Sequence, residues 1–288
     1  MMNKPLVSVL MPVYNGIETI DYAIKSLKLQ TYTNWKLIIV DDGSTDGTGE
    51  YLDALQKEGN RFKVIHLEKN KGRGFARNVC LQNAEGTYIA FLDADDMYMP
   101  EKLEKQVAFL EANSEISLVG CGVGIMDKNG EVNSRRPNSR HGEVIEYKEF
   151  DKVLFLHATV LIRLIIAENC EYKSYLKAIE DEDYFRQYLI FGKKYSKLEE
   201  ILYIYTEFQS LTKSKLIYYG YNSLLYYGRF IFINKIAFKY FFITFIKLLI
   251  KTSILIFIKP SQIVNNRNIQ IENWKSSEIK FSLMQIKS

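Results

Sequence analysis

The chain has 288 residues, 47% of them hydrophobic and 25% charged, which allows one large domain or one domain with an appendage. Its three cysteines, Cys80, Cys121 and Cys170, share no CxxC spacing; this argues against a disulfide framework or a zinc site and for a reducing compartment. The net charge of +4 is unevenly placed, because Lys213 to Pro260 holds eight Lys or Arg and no Asp or Glu, so a mildly acidic body is joined to a basic, apolar segment suited to a different solvent.

Met1 to Val7 has no apolar run behind basic residues, so no signal peptide is expected and the cytoplasm is the expected compartment. Strand and helix patterns then alternate. Leu6 to Met11 reads as a strand stopped by Pro12, and Ile17 to Leu29 as a helix with Ile20, Ala23, Ile24 and Leu27 on one face. Trp35 to Val40, Phe62 to His66 and Tyr88 to Leu92 read as further buried strands. Thr45 to Gln56 and Ala76 to Ala84 read as the helices between them, and Pro100 opens the next. This order predicts an α/β fold with a parallel sheet covered on both faces. After Ser114 the rhythm changes. Ile116 to Met126 and Glu131-Val132 form a predicted hairpin, Ala158 to Ile162 a strand, Glu180 to Ile190 a helix, and Tyr195 to Tyr205 one or two short strands.

Four motifs sit at predicted strand ends, where open α/β folds place their ligands. Met11-Pro12-Val13-Tyr14-Asn15-Gly16 is either an ordinary turn or one that offers Tyr14 to a base. Val40-Asp41-Asp42-Gly43-Ser44-Thr45 presents acids able to accept from a pyrimidine N3–H or ribose hydroxyls, with Ser44 or Thr45 capping the next helix. Asn70-Lys71-Gly72-Arg73-Gly74-Phe75-Ala76-Arg77 is glycine-rich and basic and opens a helix, a setting that favours anions. Arg77 stands where a dinucleotide fingerprint needs its third small residue, so the loop reads as a diphosphate or base contact instead. Asp93-Ala94-Asp95-Asp96 crowds three carboxylates into four residues. Such a group either binds a hard divalent cation or caps the helix that follows.

In this order and spacing the motifs resemble the nucleotide-diphospho-sugar-binding half of family 2 glycosyltransferases, as islands over about residues 5 to 212. The resemblance implies a GT-A fold: a Rossmann-like, mostly parallel sheet with helices on both faces. It gives Tyr14, with Pro12 beside it, to the base, and Asp42, with Asp41 near it, to base or ribose. Asn70 and Arg77 would line the nucleotide, Asp93 would touch the ribose side, and Asp95 would hold Mn²⁺ or Mg²⁺ bridging the phosphates. A later stretch, Glu180-Asp181-Glu182-Asp183, resembles the family's Glu-Asp element and places Asp181 as general base, with Glu182 and Asp183 as competitors. An inverting transfer needs such a carboxylate opposite the leaving diphosphate. The family's later His is missing, and Glu207 stands near that place; His157 falls where the family has an acceptor-side His, and is otherwise structural.

Tyr218 to Ile258 is dense in Ile, Leu, Phe and Tyr, but lysines break it below the length of a membrane span. It reads as a helical segment lying on an anionic membrane surface, or as core helices. The expected organisation is a catalytic domain over 1–212 (donor half to about 115, acceptor half beyond), a membrane-associating segment over 213–260 and a loosely ordered polar tail over 261–288. The expected activity is inverting transfer from a UDP-sugar to a glycan or lipid-linked acceptor in surface polysaccharide synthesis. The enzyme would be peripheral on the inner face of the plasma membrane, with no nucleic acid partner. A sugar-1-phosphate nucleotidyltransferase and a non-catalytic sugar-nucleotide-binding module are the alternatives.

Overall fold

The computed structural model describes residues 4–127, 129–136, 140–148, 153–176, 179–206, 213–229, 235–257, 269–270, 279 and 282–286. The chain begins with β1 (Val7–Val13), α1 (Ile20–Lys28), β2 (Trp35–Asp41), α2 (Thr48–Gln56), β3 (Phe62–His66), α3 (Arg73–Gln82) and β4 (Tyr88–Phe91). Next come β5 (Met97–Tyr98), α4 (Lys102–Ala112), β6 (Leu118–Met126), β7 (Val132–Arg135) and β8 (Ile145–Glu146). A 3-10 turn at His157–Thr159 leads into β9 (Leu161–Arg163), α5 (Leu164–Ala167), α6 (Glu180–Gly192) and β10 (Lys194–Thr206). Two helices, α7 (Lys213–Gly228) and α8 (Lys235–Phe257), precede β11 (Ile269–Gln270).

The strands lie in the order β11-β7-β6-β9-β4-β1-β2-β3. From β4 to β3 the pairings are parallel, as the alternation of strand and helix predicts. β9 is antiparallel to both β4 and β6, and β10 runs parallel to β6. The sheet is thus a parallel N-terminal block continued by a mixed part. Ile20, Ala23, Ile24 and Leu27 are the buried apolar face of α1, as their spacing predicts.

Several boundaries differ from expectation. Pro12 does not stop β1; it pairs with Val40 inside the strand. The β1–β4 ladder ends at Leu10 and Phe91, where Leu92 donates to the Leu10 carbonyl. The amide that Pro12 lacks therefore falls beyond that ladder, where it costs no hydrogen bond. α2 begins at Thr48, not Thr45, and Asp46 rather than Ser44 or Thr45 accepts from the Thr48 N–H at 3.1 Å. Tyr195 to Tyr205 is one long strand: register shifts between Lys197 and Tyr203 absorb its charged stretch.

The C-terminal part also departs from the expected loose order. Ile279, Leu283 and Ile286 are buried in the main hydrophobic core, and β11 pairs with β7. α7 and α8 pack together as a hairpin. A Cβ on Gly220 would lie 2.6 Å from Leu248 Cδ1, so glycine permits that approach. None of the described helices is long and apolar enough to cross a membrane. Cys80, Cys121 and Cys170 are all free and buried.

Candidate active site

The site lies at the carboxyl ends of β1, β2 and β4, under the start of α6. The turn after β1 is fastened to the loop after β2. Asn15 N–H donates to Ser44 Oγ at 2.9 Å, Asn15 Oδ1 accepts from Thr45 N–H at 2.9 Å, and Gly16 N–H donates to Thr48 Oγ1 at 3.0 Å. Tyr14, at the tip of this turn, is 50% exposed, so its ring is free to take a flat ligand.

Asp41 and Asp42 end β2, buried and engaged. Asp41 Oδ1 accepts from Ser44 N–H at 2.9 Å, and its Oδ2 meets His66 Nδ1 at 3.0 Å. Asp42 accepts from the backbone N–H groups of Lys71 and Gly72 at 2.7 and 2.8 Å. One carboxylate thus shapes its own loop, and the other anchors the glycine-rich loop. Gly43, at φ +73°, completes the fit: a Cβ there would lie 2.6 Å from the Lys69 carbonyl carbon. Asn70, next to it, is exposed.

The glycine-rich loop becomes α3 at Arg73, three residues before the predicted start, so Arg73 and Arg77 are one turn apart on one helix. Both face the first turn of α6. Arg73 donates through Nε to Glu180 Oε1 at 3.0 Å. Arg77, 2% exposed, pairs through Nη1 with Asp181, and its Nη2 is 3.6 Å from Asp93. Burial opposes its charge, but Asp181 and Asp93 outweigh that and hold the guanidinium protonated.

The three acids after β4 divide. Asp93 faces Arg77. Asp95 is exposed, with no Lys or Arg of the described residues within salt-bridge distance. Crowding by surrounding protein, and then the Asp93 charge, push its pKa up to about 6. Asp96 turns inward instead: its Oδ2 accepts from Tyr203 O–H at 2.6 Å and its Oδ1 from Thr206 N–H at 2.8 Å, which fixes the end of β10. No group of three or more His, Cys, Asp or Glu able to hold a metal is present among the described residues. Asp95, with Asp93 two residues before it, offers hard carboxylate oxygens at the strand end. That chemistry fits Mg²⁺ or Mn²⁺, which take one or two carboxylates and complete their shell with phosphate oxygens and water. Glu207 lies outside the described residues.

On α6, none of the four first-turn acids is simply solvated. Glu180 and Asp181 face α3, while Glu182 meets Tyr227 O–H and Asp183 Oδ1 accepts from Tyr226 O–H at 2.7 Å. His157 is buried beside them. Its Nε2 meets Tyr172 O–H at 2.5 Å and lies 3.9 Å from Asp181 Oδ1, and its Nδ1 has no hydrogen-bond partner. Burial, and then Arg77, hold its pKa well below 6.5.

Of the sequence-predicted residues, Arg77, Asp93 and Asp181 thus meet in one cluster. Pro12 and Tyr14 lie at the end of β1, Asp41 and Asp42 at the end of β2, Asn70 in the glycine-rich loop, and Asp95 two residues beyond Asp93. Sequence reasoning quoted Arg73 and Glu180 within their motifs without giving either a role of its own, and it did not single out Tyr172. The first two carried a signal, an Arg pair at helical i,i+4 spacing facing an acidic helix start. Tyr172 carried none; its ring stacks flat on Tyr184 at 4.2 Å.

A strand-end acid pair, a helix start in a basic glycine-rich loop and an acidic helix across from them define a GT-A glycosyltransferase. The chain belongs to glycosyltransferase family 2, whose family model, Glycosyl transferase family 2, matches residues 8–168. It is 34% identical over 232 residues to "Putative glycosyltransferase EpsE" of Bacillus subtilis (strain 168), covering 79% of this chain and 82% of that protein. It is 40% identical over 131 residues to UDP-Glc:alpha-D-GlcNAc-diphosphoundecaprenol beta-1,3-glucosyltransferase WfgD of Escherichia coli, covering 46% of this chain and 51% of that protein. Of "Putative teichuronic acid biosynthesis glycosyltransferase TuaG" from Bacillus subtilis it spans half, 43% identical over 125 residues that make up 43% of this chain. S. aureus TarS in complex with UDP-GlcNAc shares the fold at TM-score 0.61 and 24% identity, over 77% of this chain and 65% of that one. Mannosyltransferase PcManGT from Pyrobaculum calidifontis, in complex with GDP-Man and Mn²⁺, shares it at TM-score 0.64 and 16% identity, over 99% of this chain and 87% of that one.

Proposed function

We propose that this glycosyltransferase moves a sugar from a UDP-sugar to a glycan or lipid-linked acceptor in cell-surface polysaccharide synthesis, with inversion at the anomeric carbon. The observation that carries this reading is the division of the α6 acids. Glu182 and Asp183 are occupied by tyrosines of α7, and Asp181 alone of the three candidate bases faces Arg77 and Asp93. The names of WfgD and TarS, with UDP-linked donors and a diphosphoundecaprenol acceptor, support the choice of substrate classes.

Tyr14 and the buried Asp41 and Asp42 line the nucleoside end, and the start of α3 offers its N–H groups toward the diphosphate. Contacts from Arg77 and His157 both reach Asp181 Oδ1, so Oδ2 is left to accept from an incoming hydroxyl. The acceptor oxygen bonds to the anomeric carbon as its proton passes to Asp181. The bond from that carbon to the diphosphate oxygen breaks, and its electron pair leaves with UDP. A divalent cation bound at Asp95, Mn²⁺ or Mg²⁺, would supply Lewis-acid charge against the departing diphosphate. We also infer that α7 and α8 rest on an anionic membrane surface, which would bring a lipid-linked acceptor to the site.

Membership of family 2 favours transfer over the nucleotidyltransferase alternative. The test is Asp181→Asn. Donor binding, followed by calorimetry with UDP-Glc and UDP-GlcNAc, should stay within about twofold, while UDP release falls on the order of a hundredfold, the scale of a lost general base. Turnover near that of the wild type would remove Asp181 from the role.

A further inference from the structure

The first turn of α6 has no side-chain cap: Ile179 stands at the N-cap position and makes no capping hydrogen bond. Four adjacent carboxylates in that turn repel one another, although each gains from the helix N-terminus. The turn is instead held by partners on two sides. Arg73 and Arg77 of α3 take Glu180 and Asp181. On the opposite side, Tyr226 and Tyr227 of α7 take Asp183 and Glu182.

We propose that Tyr226 and Tyr227 are positioning residues for Asp181, and that α7 thereby joins the C-terminal helical hairpin to the catalytic centre. This rests on the assignment of Asp181 as base. Successive residues on a helix are turned by 100°, so Glu180 and Asp181 face one side and Glu182 and Asp183 the other. Fixing the second pair sets the rotation of the whole turn, and with it the direction of Asp181. Tyr226 is buried to 3% exposure, and its O–H donates to Asp183 Oδ1 at 2.7 Å. The Arg186 guanidinium sits 4.6 Å over its ring and 3.7 Å from the same Asp183 oxygen. Gln187 Nε2 donates to the other Asp183 oxygen at 2.8 Å. Asp183 is thus boxed by three side chains, one of which comes from α7. Tyr227 does the same for Glu182, one residue closer to Asp181.

A hydrogen bond from another element is the economical way to orient an uncapped helix start, because it satisfies a carboxylate without adding charge beside the base. Replacing tyrosine by phenylalanine removes only the hydroxyls and leaves the ring packing, so the full-length Tyr226→Phe, Tyr227→Phe and double variants isolate the effect. With UDP-GlcNAc or UDP-Glc as donor and water or a glycolipid as acceptor, kcat for UDP release should fall roughly tenfold in the double variant, because a small misplacement of a catalytic group is costly. KM for the donor should stay within about twofold, since the α3 side of the cluster is untouched. Backbone amides of residues 183–187, the first of α6 to be hydrogen-bonded within the helix, should exchange faster with deuterium, while those of α3 keep their protection.

The exchange experiment needs no substrate and stands without turnover. Unchanged exchange at 183–187 overturns the proposal, as does a rise in donor KM matching the loss in kcat, the mark of a general structural role. Normal turnover in the tyrosine variants beside an inactive Asp181→Asn enzyme overturns the positioning role alone. Normal turnover in Asp181→Asn overturns the base assignment and, with it, the inference.

Discussion

Arg77 and Asp181 form an ion pair that joins α3 to α6. Arg77 follows the glycine-rich loop and Asp181 lies in the first turn of α6, and they are 104 residues apart in sequence. The same guanidinium reaches Asp93 at 3.6 Å and Glu180 at 3.9 Å. One buried cation therefore serves three carboxylates from one strand end and one helix start.

Removing it should leave Asp93 and Asp181 without their ion-pair partner, while Glu180 keeps Arg73. For Arg77→Ala we expect a loss of stability on the order of 3 kcal/mol, the lower end for breaking a buried pair, because Asp93 and Asp181 are partly solvated. Arg77→Lys should recover only part of this, since a single ammonium cannot fork among three acids. Urea unfolding at neutral pH measures both, and a lysine variant as stable as the wild type would contradict the geometry.

Asp95 is the acid on which metal-dependent binding should turn. Calorimetry of UDP with and without Mn²⁺ should show a metal-dependent gain in affinity for the wild type and none for Asp95→Asn. Because the Asp95 pKa is raised to about 6, protons compete with the cation there. The gain should accordingly weaken as pH falls through about 6. A gain of equal size in the variant would move the metal elsewhere.

The N-terminal parallel block was legible because its strands are short apolar runs, and two of them, β2 and β4, run straight into acids. The fates of Asp95 and Asp96 were not. They are neighbours of the same type, and the turn closed by Asp96 N–H on the Asp93 carbonyl at 3.1 Å sends one outward and the other to Tyr203. Whether Tyr195 to Tyr205 held one strand or two stayed open because Lys197, Glu199 and Glu200 look like loop residues, and the register shifts against β6 accommodate them in one strand. Ile279, Leu283 and Ile286 did carry a signal, their i, i+4, i+7 spacing, which marks a buried helical face even in a polar tail. The tyrosine contacts to Glu182 and Asp183 left none, since α7 is tyrosine-rich throughout.

His66 bridges Asp41 at 3.0 Å and Asp53 at 3.2 Å. Partial burial works against the charged ring, but the hydrogen bonds and charges of the two acids outweigh it and raise the pKa above 6.5. A raised folded value means that protonated His66 adds stability below the unfolded pKa, and that this is lost as pH climbs through the folded one. His157 has the opposite sign: its lowered pKa costs stability as pH falls below 6.5. The difference between wild type and His66→Gln isolates the first effect. That difference should be largest below pH 6.5 and shrink as pH rises; a difference that grows with pH would refute the assignment.

The helical hairpin carries the last prediction. Phe238, Phe242, Phe245 and Leu249 are exposed on α8 at i, i+4, i+7 and i+11, one continuous stripe, and Lys239 and Lys247 are exposed on the same helix. On α7, Tyr218, Tyr219 and Tyr221 are exposed as well. An apolar stripe with snorkelling lysines and no acids suits the boundary between headgroups and acyl chains. Each basic residue near an anionic surface contributes about 1 kcal/mol, and added salt screens it. Cutting the chain at Thr212 would not be a clean test, because β11 and the buried Ile279, Leu283 and Ile286 return to the body. Substitution within the stripe is cleaner. The full chain should co-sediment with phosphatidylglycerol-containing vesicles at low salt and be released as salt rises. Lys239→Glu with Lys247→Glu should weaken binding roughly tenfold or more, and Phe242→Ser with Phe245→Ser should weaken it at every salt concentration. Both pairs should leave the melting temperature and UDP binding unchanged. If the wild type stays in the supernatant at low salt, the stripe faces a protein and not a lipid surface.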